Sequence, residues 1–326
     1  MNRFILHIMA ITAVVLSACT DNTPTVTVRV KECAAMPVPR ASAAACALDG
    51  KGYVFAGRDA NGIYLNDLWQ YDPGTDSWKQ LSDFPGKARV KAVMAAYDGA
   101  LYMGLGFSGE KVYVDSCYLR DIWRYTPADD QWTRLADCPS ANTVSGVPCM
   151  ADGRMYVLYS TGWSQSKDII YFDIANNRWG NIPDTGKRPG ACFGATGVPF
   201  AGRFYFSTGL TWENTKQWYE VDIANDRWTP LAAYPGKGRE LCAGCATDNY
   251  IYLFGGRYFA GEHTGGEVFS EYMRYKADSD QWEHCGAMPC GKGENMIAFS
   301  INHIAYFGLG EDEKGTLHNT LYRIEE

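Results

Sequence analysis

The sequence lacks both an excess of positive charge and a hydrophobic run long enough to cross a membrane. Its 30 Lys and Arg residues, against 37 Asp and Glu residues, leave a formal net charge of −7. That balance argues against a nucleic acid, or an anionic membrane surface, bound through a basic face. What the sequence has instead is 46% hydrophobic residues, 14% aromatic residues and 34 glycines. This composition is typical of a globular chain with many short strands joined by tight turns.

The start of the chain is typical of a secretory leader. It reads MNRFILHIMAITAVVLSA, in which an early charge is followed by an apolar run shorter than the roughly 20 residues of a membrane-spanning helix. The LSAC at 16–19 resembles the bacterial lipobox, whose cysteine, here Cys19, is lipidated. An ordinary leader cut near Ala18 is the alternative. We expect a protein of the bacterial cell envelope, anchored by lipid to the outer membrane, with the periplasmic or surface side left open. The predicted segments are a signal peptide at 1–18, a lipid-anchored tether at 19–24 and a folded domain at 25–326.

The cysteines give little support for a metal or redox site. Eleven are present, and ten remain once Cys19 is set aside. Cys242 and Cys245 form a CxxC, but no second CxxC or histidine pair accompanies it. On a strand, residues three apart point to opposite faces. We therefore expect buried thiols rather than a zinc or redox centre, and the disulfide pairing stays open.

A twelve-residue stretch recurs along the chain. DLWQYDPGTDSW at 67–78 nearly matches DIWRYTPADDQW at 121–132, and three looser copies follow. Each copy ends in a tryptophan, and the spacing of about fifty residues marks a repeat architecture with one supersecondary unit per copy. The five tryptophans are Trp78, Trp132, Trp179, Trp228 and Trp282.

A second repeated motif indicates six structural units, one more than the five tryptophans. A turn pair such as Asp98-Gly99 is followed by a tyrosine six times, at Tyr53, Tyr102, Tyr156, Tyr205, Tyr252 and Tyr306. Each unit contains four strand-like runs, and two-residue turns between apolar runs predict hairpins. Four antiparallel strands repeated six times predict an all-β fold, a six-bladed β-propeller.

The two ends of the chain predict how the ring closes. After Tyr306 the sequence has room for a third strand, LYRIEE, and none for a fourth. In four copies a proline stands seven residues after the tryptophan, and counting seven back from Pro37 reaches Val30. The N-terminal strand is therefore expected to complete the last blade, which removes an open sheet edge.

These motifs resemble those of kelch-repeat propellers of the galactose-oxidase-like group and, more distantly, the N-acetylneuraminate epimerase/mutarotase family. The matching residues are the glycine pair at 255–256, the Tyr-Asp-Pro turn at 71–73 and the Trp-x-x-Leu at 78–81. The resemblance implies that ligands bind on one face. That face is formed around the channel mouth by the loops joining fourth to first strands and second to third strands.

The loops expected at this mouth contain arginines and aromatic residues. Arg89 and Arg239 lie at equivalent positions and, with Arg40, predict a partial cationic ring, to which Arg188 and Lys292 are further candidates. Pairing of these arginines with nearby acids such as Glu240 is the alternative reading. Flat aromatics beside charged groups suit a sugar. The candidate ligand-binding residues are Arg40, Arg89, Arg239, Arg257, Trp163, Trp212, Tyr258, Phe259 and Glu240.

The mouth residues and the resemblance are compatible with three functions. Copper-radical oxidases of the resembled group need a crosslinked tyrosine–cysteine pair, which is not recognisable here, so we expect no metal and no other cofactor. The leading hypothesis is a binding protein without catalysis that holds a glycan or another envelope ligand at the mouth. The first alternative is a mutarotase or epimerase for sugars of the sialic acid type, with an acid–base group drawn from Glu240, Glu213, Glu262 or Glu267. A scaffold for a protein partner is a further alternative.

Overall fold

The computed structural model describes residues 23–109, 117–140, 144–158, 168–190, 192–207, 209–211, 213–261 and 266–326. Every regular element in these ranges is a β-strand. None of the described residues belongs to a helix of the length and hydropathy that a membrane crossing needs. Six four-stranded antiparallel sheets make up the fold. The prediction of an all-β, six-bladed propeller is confirmed.

The first three blades are continuous in sequence, and each follows a simple up-and-down order. Blade 1 is β2 (Ala44–Leu48), β3 (Lys51–Phe55), β4 (Leu68–Asp72) and β5 (Ser77–Gln80). Blade 2 is β6 (Val93–Tyr97), β7 (Ala100–Gly104), β8 (Ile122–Thr126) and β9 (Gln131–Arg134). Blade 3 is β10 (Val147–Ala151), β11 (Arg154–Leu158), β12 (Ile169–Asp173) and β13 (Arg178–Ile182).

The last three blades include an added hairpin and the closing strand. Blade 4 is β14 (Thr196–Phe200), β15 (Arg203–Ser207), β16 (Trp218–Asp222) and β17 (Arg227–Pro230). Blade 5 is β18 (Ala243–Ala246), β19 (Ile251–Phe254), β22 (Glu271–Lys276) and β23 (Gln281–Ala287), with a separate hairpin of β20 (Arg257–Phe259) and β21 (Gly266–Val268). Blade 6 is β24 (Ile297–Ile301), β25 (Ile304–Gly308), β26 (Leu321–Glu325) and β1 (Arg29–Cys33).

The N-terminal strand closes the ring as predicted. β1 pairs antiparallel with β26, and Val30 lies opposite Ile324. The residues before β1 also join blade 5, since the Val26 amide donates to the His284 carbonyl at 2.9 Å and the His284 amide to the Pro24 carbonyl at 2.7 Å. The N-terminal segment therefore pairs with the outer strand of blade 5 and the third strand of blade 6, which joins the two blades and covers an edge that an unclosed propeller would leave open.

The repeat tryptophans link neighbouring blades. The indole N–H of Trp132 in blade 2 donates to the carbonyl of Ser82, which follows the last strand of blade 1, at 3.1 Å. Three other joints show the same bond, in the pairs Trp78–Ala34, Trp179–Ala136 and Trp282–Ala232. Trp228 differs, because its indole bonds Asp226 within its own blade.

The side chain two residues before each of these four tryptophans completes the link. Asp280 accepts the amide N–H of Ala232 at 2.8 Å and the hydroxyl of fully buried Tyr275 at 2.7 Å. At the Trp179 joint, Asn177 accepts the Ala136 amide at 2.9 Å. The tryptophan indole and the side chain two residues before it therefore bond the carbonyl and the amide of one and the same residue in the preceding part of the ring. We call this arrangement the inter-blade clamp.

Removing the clamp acceptor should destabilise the fold. Asp280→Ala leaves the Tyr275 hydroxyl and the Ala232 amide without their partner, and it also places alanine at a φ of +52°. We expect a loss of about 1–3 kcal/mol in the free energy of unfolding, measured by urea denaturation. Asp280→Asn is the matched control, because Asn177 occupies the equivalent position with a φ of +46°. Equal stability of the alanine variant and the wild type would contradict the clamp.

Candidate functional site

Three of the predicted mouth arginines are buried in ion pairs. Arg40 donates to both carboxylate oxygens of Asp67, at 2.6 and 2.8 Å, and to the Ala56 carbonyl at 3.0 Å. Arg89 repeats this geometry, with bonds of 2.9 and 2.8 Å to Asp121. Arg239 pairs with Glu271 and donates to the Gly255 carbonyl at 3.1 Å. The three side chains are 0%, 0% and 3% exposed.

The prediction that these three arginines form an accessible cationic ring is therefore wrong, because their side chains are buried. Each arginine reaches the acid that begins the third strand of its own blade, and it fastens that strand to the loop entering the blade. Pairing with acids was the alternative reading, although Glu240 is not the partner. The two further candidates are also paired, Arg188 with Asp226 at 2.6 Å and Lys292 with Glu313 at 2.6 Å. A ligand therefore cannot reach the three buried guanidinium groups.

Breaking one of these pairs should cost stability. Arg89→Met leaves the Asp121 carboxylate without its bidentate partner, and removing one partner of a buried pair costs about 3–5 kcal/mol. Thermal or urea unfolding measures the loss. Lys87→Ala is the matched control, because Lys87 lies two residues away with its side chain exposed and should change stability by less than about 0.5 kcal/mol. Similar losses in both variants would contradict the assignment.

A ring of six residues surrounds the channel mouth, one at the entrance of each blade. All six have a left-handed backbone, with φ between +53° and +64°: Ser42, Lys91, Ser145, Gly194, Leu241 and Asn295. Backbone hydrogen bonds connect them from blade to blade; the Lys91 amide donates to the Ser42 carbonyl at 2.9 Å, and the Ser42 amide to the Asn295 carbonyl at 3.1 Å. These residues line a cavity of about 140 Å³. We call them the mouth ring.

Charged side chains lie beside the mouth ring on blades 5, 6 and 1. Arg257 lies between two glutamates, with Nε 3.9 Å from Glu240 Oε1 and Nη1 3.5 Å from Glu294 Oε1. Glu311 pairs with Arg58 and accepts the side-chain amide of Asn295 at 3.0 Å. Blades 2, 3 and 4 have apolar residues at the positions equivalent to Glu240 and Glu294, namely Val90, Val144 and Phe193. The mouth is therefore charged on one half and apolar on the other.

Lys91 brings a positive charge to the mouth from blade 2. Its ammonium lies over the Phe193 ring, 4.2 Å from the centroid. Burial lowers the pKa of Lys91 to about 8, against the attraction of Glu240, Glu294 and Glu311. Burial raises the pKa of Glu240 to about 7, although Lys91 and Arg257 oppose this shift. Burial likewise raises the pKa of Glu294.

Several polar atoms at the mouth are buried without a hydrogen bond. Within the described part of the chain this holds for Ser145 Oγ, Glu240 Oε2, Arg257 Nε and Glu294 Oε2. Buried polar atoms in native proteins are nearly always paired with protein, water or ligand. Their grouping at one mouth marks the place where a polar molecule, water included, would complete these hydrogen bonds.

The predicted aromatic residues are only partly described. Tyr258 and Phe259 lie on β20, and Tyr258 is 37% exposed. The side chain of Asn214, from the loop of blade 4, fixes this hairpin by donating to the Phe259 carbonyl at 2.7 Å and accepting its amide at 3.2 Å. Glu267 pairs with Lys237 at 2.5 Å. Trp163, Trp212, Glu262 and the lipidation candidate Cys19 lie outside the described residues.

Sequence reasoning missed four of the charged residues at this mouth. It singled out Glu240 and Arg257, but Lys91, Glu294, Glu311 and Arg58 were not among the candidates. A signal was present, because Ser42, Lys91 and Leu241 each stand two residues after a buried arginine. Counting forward from those arginines reaches the mouth ring in three of six blades.

The cysteines form no disulfide within the described part of the chain. Those of the first strands are enclosed in the propeller, and burial raises the pKa of both Cys46 and Cys149 to about 12. Cys242 lines the mouth cavity, where burial raises its pKa to about 11. Thiols with such pKa values are poor nucleophiles at neutral pH.

Comparisons with known proteins agree on the repeat. A family model described as the KLHDC2/KLHL20/DRC7 Kelch-repeats domain matches residues 19–158. Kelch-like protein 36 of Mus musculus is 29% identical over 40% of this chain and 22% of its own length. An N-acetylneuraminate epimerase of Pasteurella multocida is 36% identical over 23% of this chain and 20% of its own length. Another, of Yersinia enterocolitica, is 26% identical over 43% of this chain and 45% of its own length.

The matched part is less than half the length of each of these relatives. A solved structure entitled "Structure of YjhT" superposes with a TM-score of 0.74 and 16% identity, covering 90% of this chain and 99% of that one. At this identity the likeness concerns the fold alone. Together with the six observed blades, the matches identify the chain as a six-bladed β-propeller whose residues 19–158 match a kelch-repeat family model.

Proposed function

We propose that the channel mouth binds a sugar of the sialic acid type and catalyses the exchange of its anomers. The observation that carries this proposal is the placement of two titratable groups at one mouth: Lys91 lines the cavity and Glu240 precedes the lining residue Leu241. Their charges interact, and their pKa values are about 8 and about 7. General acid–base catalysis works best when the pKa values of its groups lie close to the working pH. A site that only binds a ligand has no need of two groups tuned in this way.

Anomer exchange is within the chemical means of these two groups. The Glu240 carboxylate accepts the proton of the anomeric hydroxyl as the Lys91 ammonium donates a proton to the ring oxygen. The bond between the anomeric carbon and the ring oxygen breaks, and a carbonyl forms. After rotation about the adjacent bond, the reverse transfers close the ring on the other face. No electrons are gained or lost, so this step requires neither an oxidant nor a redox cofactor.

The other mouth residues fit a sugar acid. Arg257 Nε is buried without a hydrogen-bond partner in the described structure and provides a charged donor for a carboxylate. Ser145 Oγ is likewise unbonded and suits a hydroxyl. The apolar side chains at the mouth, Phe193 of blade 4 and Leu241 of blade 5, can pack against the less polar side of a ring. Relatives named N-acetylneuraminate epimerase, each matched over part of its length, add support.

Binding without catalysis is the second candidate. The unpaired polar atoms at the mouth and the exposed ring of Tyr258 favour a ligand, and they require no chemistry. The sequence favoured this reading because no motif distinguished an acid–base pair. The mouth geometry moves the enzymatic alternative ahead of it, since Lys91 comes from blade 2 and could not be placed beside Glu240 of blade 5 from the sequence.

We expect the protein to accelerate exchange between sialic acid anomers, with the fastest rate between about pH 7 and pH 8. Below this range Glu240 becomes protonated and cannot act as the base, and above it Lys91 loses the proton it must donate. Glu240→Gln and Lys91→Met should each lower the rate by about 10²-fold or more. NMR exchange spectroscopy on the sugar measures the rate.

Glu267→Gln is the matched control, because this exposed glutamate lies on the hairpin beside the mouth and pairs with Lys237; its rate should equal that of the wild type. Saturable binding of the sugar without acceleration would reject the enzyme and leave the binding protein. Neither binding nor acceleration would reject both candidates at this site.

We also propose that the propeller acts in the bacterial cell envelope, anchored through lipid on Cys19. The support is the leader and the LSAC sequence at 16–19. Mass spectrometry of the membrane fraction should find a diacylated Cys19 as the first residue, and Cys19→Ser should release the protein into the soluble fraction. A mature chain that begins elsewhere and lacks lipid would contradict the anchor.

A further inference from the structure

A second cavity, of about 610 Å³, lies on the outer part of blade 2 and shares no lining residue with the mouth cavity. The turn at 85–87 forms one wall, the segment 118–123 forms another, and Arg134 with Asp137 completes the lining. The half-buried ring of Trp123 belongs to this lining. We call this cavity the blade 2 groove.

Blade 1 provides an internal comparison for the same tryptophan. Trp69 donates its indole N–H to Asp67 at 2.6 Å, and Trp123 donates to Asp121 at 2.8 Å. Each therefore has the same structural bond to the acid of the arginine ion pair. Trp69 is only 8% exposed, whereas Trp123 is half-buried and lines the groove. The indole N–H bonds the acid of the ion pair in both blades, and in blade 2 the tryptophan also lines a cavity.

Three positive charges surround the accessible tryptophan and have no counterpart in blade 1. Arg134 faces Trp123 across the strand pair, where blade 1 has Gln80 facing Trp69. Lys87 provides the carbonyl that accepts the Nε–H of Arg89, and Val38 provides it for Arg40. Arg120 precedes the ion-pair acid Asp121, as Asn66 precedes Asp67. Blade 2 therefore has Lys87, Arg120 and Arg134 at the positions where blade 1 has Val38, Asn66 and Gln80.

The acids of the groove balance only part of this charge. Arg134 pairs with both oxygens of Asp137 at 2.9 Å, and Asp121 is neutralised by Arg89. Lys87 and Arg120, both exposed, are the remaining charged residues of the lining. Counting Arg89, the partner of Asp121, the groove has a local net charge of about +2. The groove therefore combines a flat aromatic surface, two cations open to solvent and one carboxylate that can accept hydrogen bonds from hydroxyls.

We infer that the blade 2 groove binds an acidic sugar residue, a pyranose with a single carboxylate such as a hexuronate unit of a glycan. The sugar ring packs on Trp123, its carboxylate is held by Lys87 and Arg120, and its hydroxyls bond Asp137. This site is separate from the channel mouth and does not depend on the function proposed there.

Calorimetric titration of the purified protein with an α-1,4-linked trigalacturonate tests the inference. We expect binding by the wild type and at least a tenfold weaker affinity for the double variant Lys87→Glu/Arg120→Glu, because the variant replaces two charge-assisted contacts to the carboxylate with repulsion. Both side chains are exposed, so the variant should fold normally. A neutral galactose trisaccharide should bind at least tenfold more weakly to the wild type.

Two control variants separate this site from general charge and from the mouth. Lys79→Glu makes the same change at an exposed position of blade 1 outside the groove and should not alter the affinity. Glu240→Gln changes the mouth and should also leave trigalacturonate binding unchanged. No binding by the wild type, equal affinity of the groove variant, or an equal loss in Lys79→Glu would each overturn the inference.

Discussion

The indole N–H of the repeat tryptophan, donated to a backbone carbonyl of the blade before it, is the bond on which the ring depends. At four joints the acid or amide two residues earlier accepts the N–H of the same backbone residue. A propeller blade buries its faces only against its neighbours, so a specific contact at each joint sets the angle between sheets as well as the packing. The tyrosine hydroxyls bonded to these acids tie the clamp to the buried core.

A second repeated contact, the buried arginine pair, positions the loops that enter the blades. Arg40, Arg89 and Arg239 each join the entering loop to the third strand of the same blade. Two residues later the chain turns with a positive φ into the mouth ring. The arginines therefore place the mouth residues without contacting a ligand themselves. The polar character of the mouth then depends on which residues occupy this frame. The residue before the mouth ring is apolar in blades 2 to 4 and acidic in blades 5 and 6, and Lys91 adds a positive charge from blade 2.

Sequence reasoning predicted the fold in detail and the site only in part. The tyrosine and tryptophan periods predicted six blades, and the proline count placed Val30 in the closing strand, where it pairs with Ile324. For the site, Glu240 and Arg257 do lie at the mouth, but Arg40, Arg89 and Arg239 are buried in the frame. An arginine in a loop has the same sequence signature in both roles. Only the position of its acid partner distinguishes a structural pair from a ligand site.

The sequence by itself determined the number of blades, the order of their strands and the closure by the N-terminal segment. These properties are encoded by patterns read along the chain, such as hairpin turns and a fixed spacing of tyrosine, tryptophan and proline. The tertiary structure alone decided which charges meet at the mouth and which surround Trp123. Lys91 and Glu240 belong to blades 2 and 5 and become neighbours only when the ring closes, and their pKa values shift because that closure removes them from water.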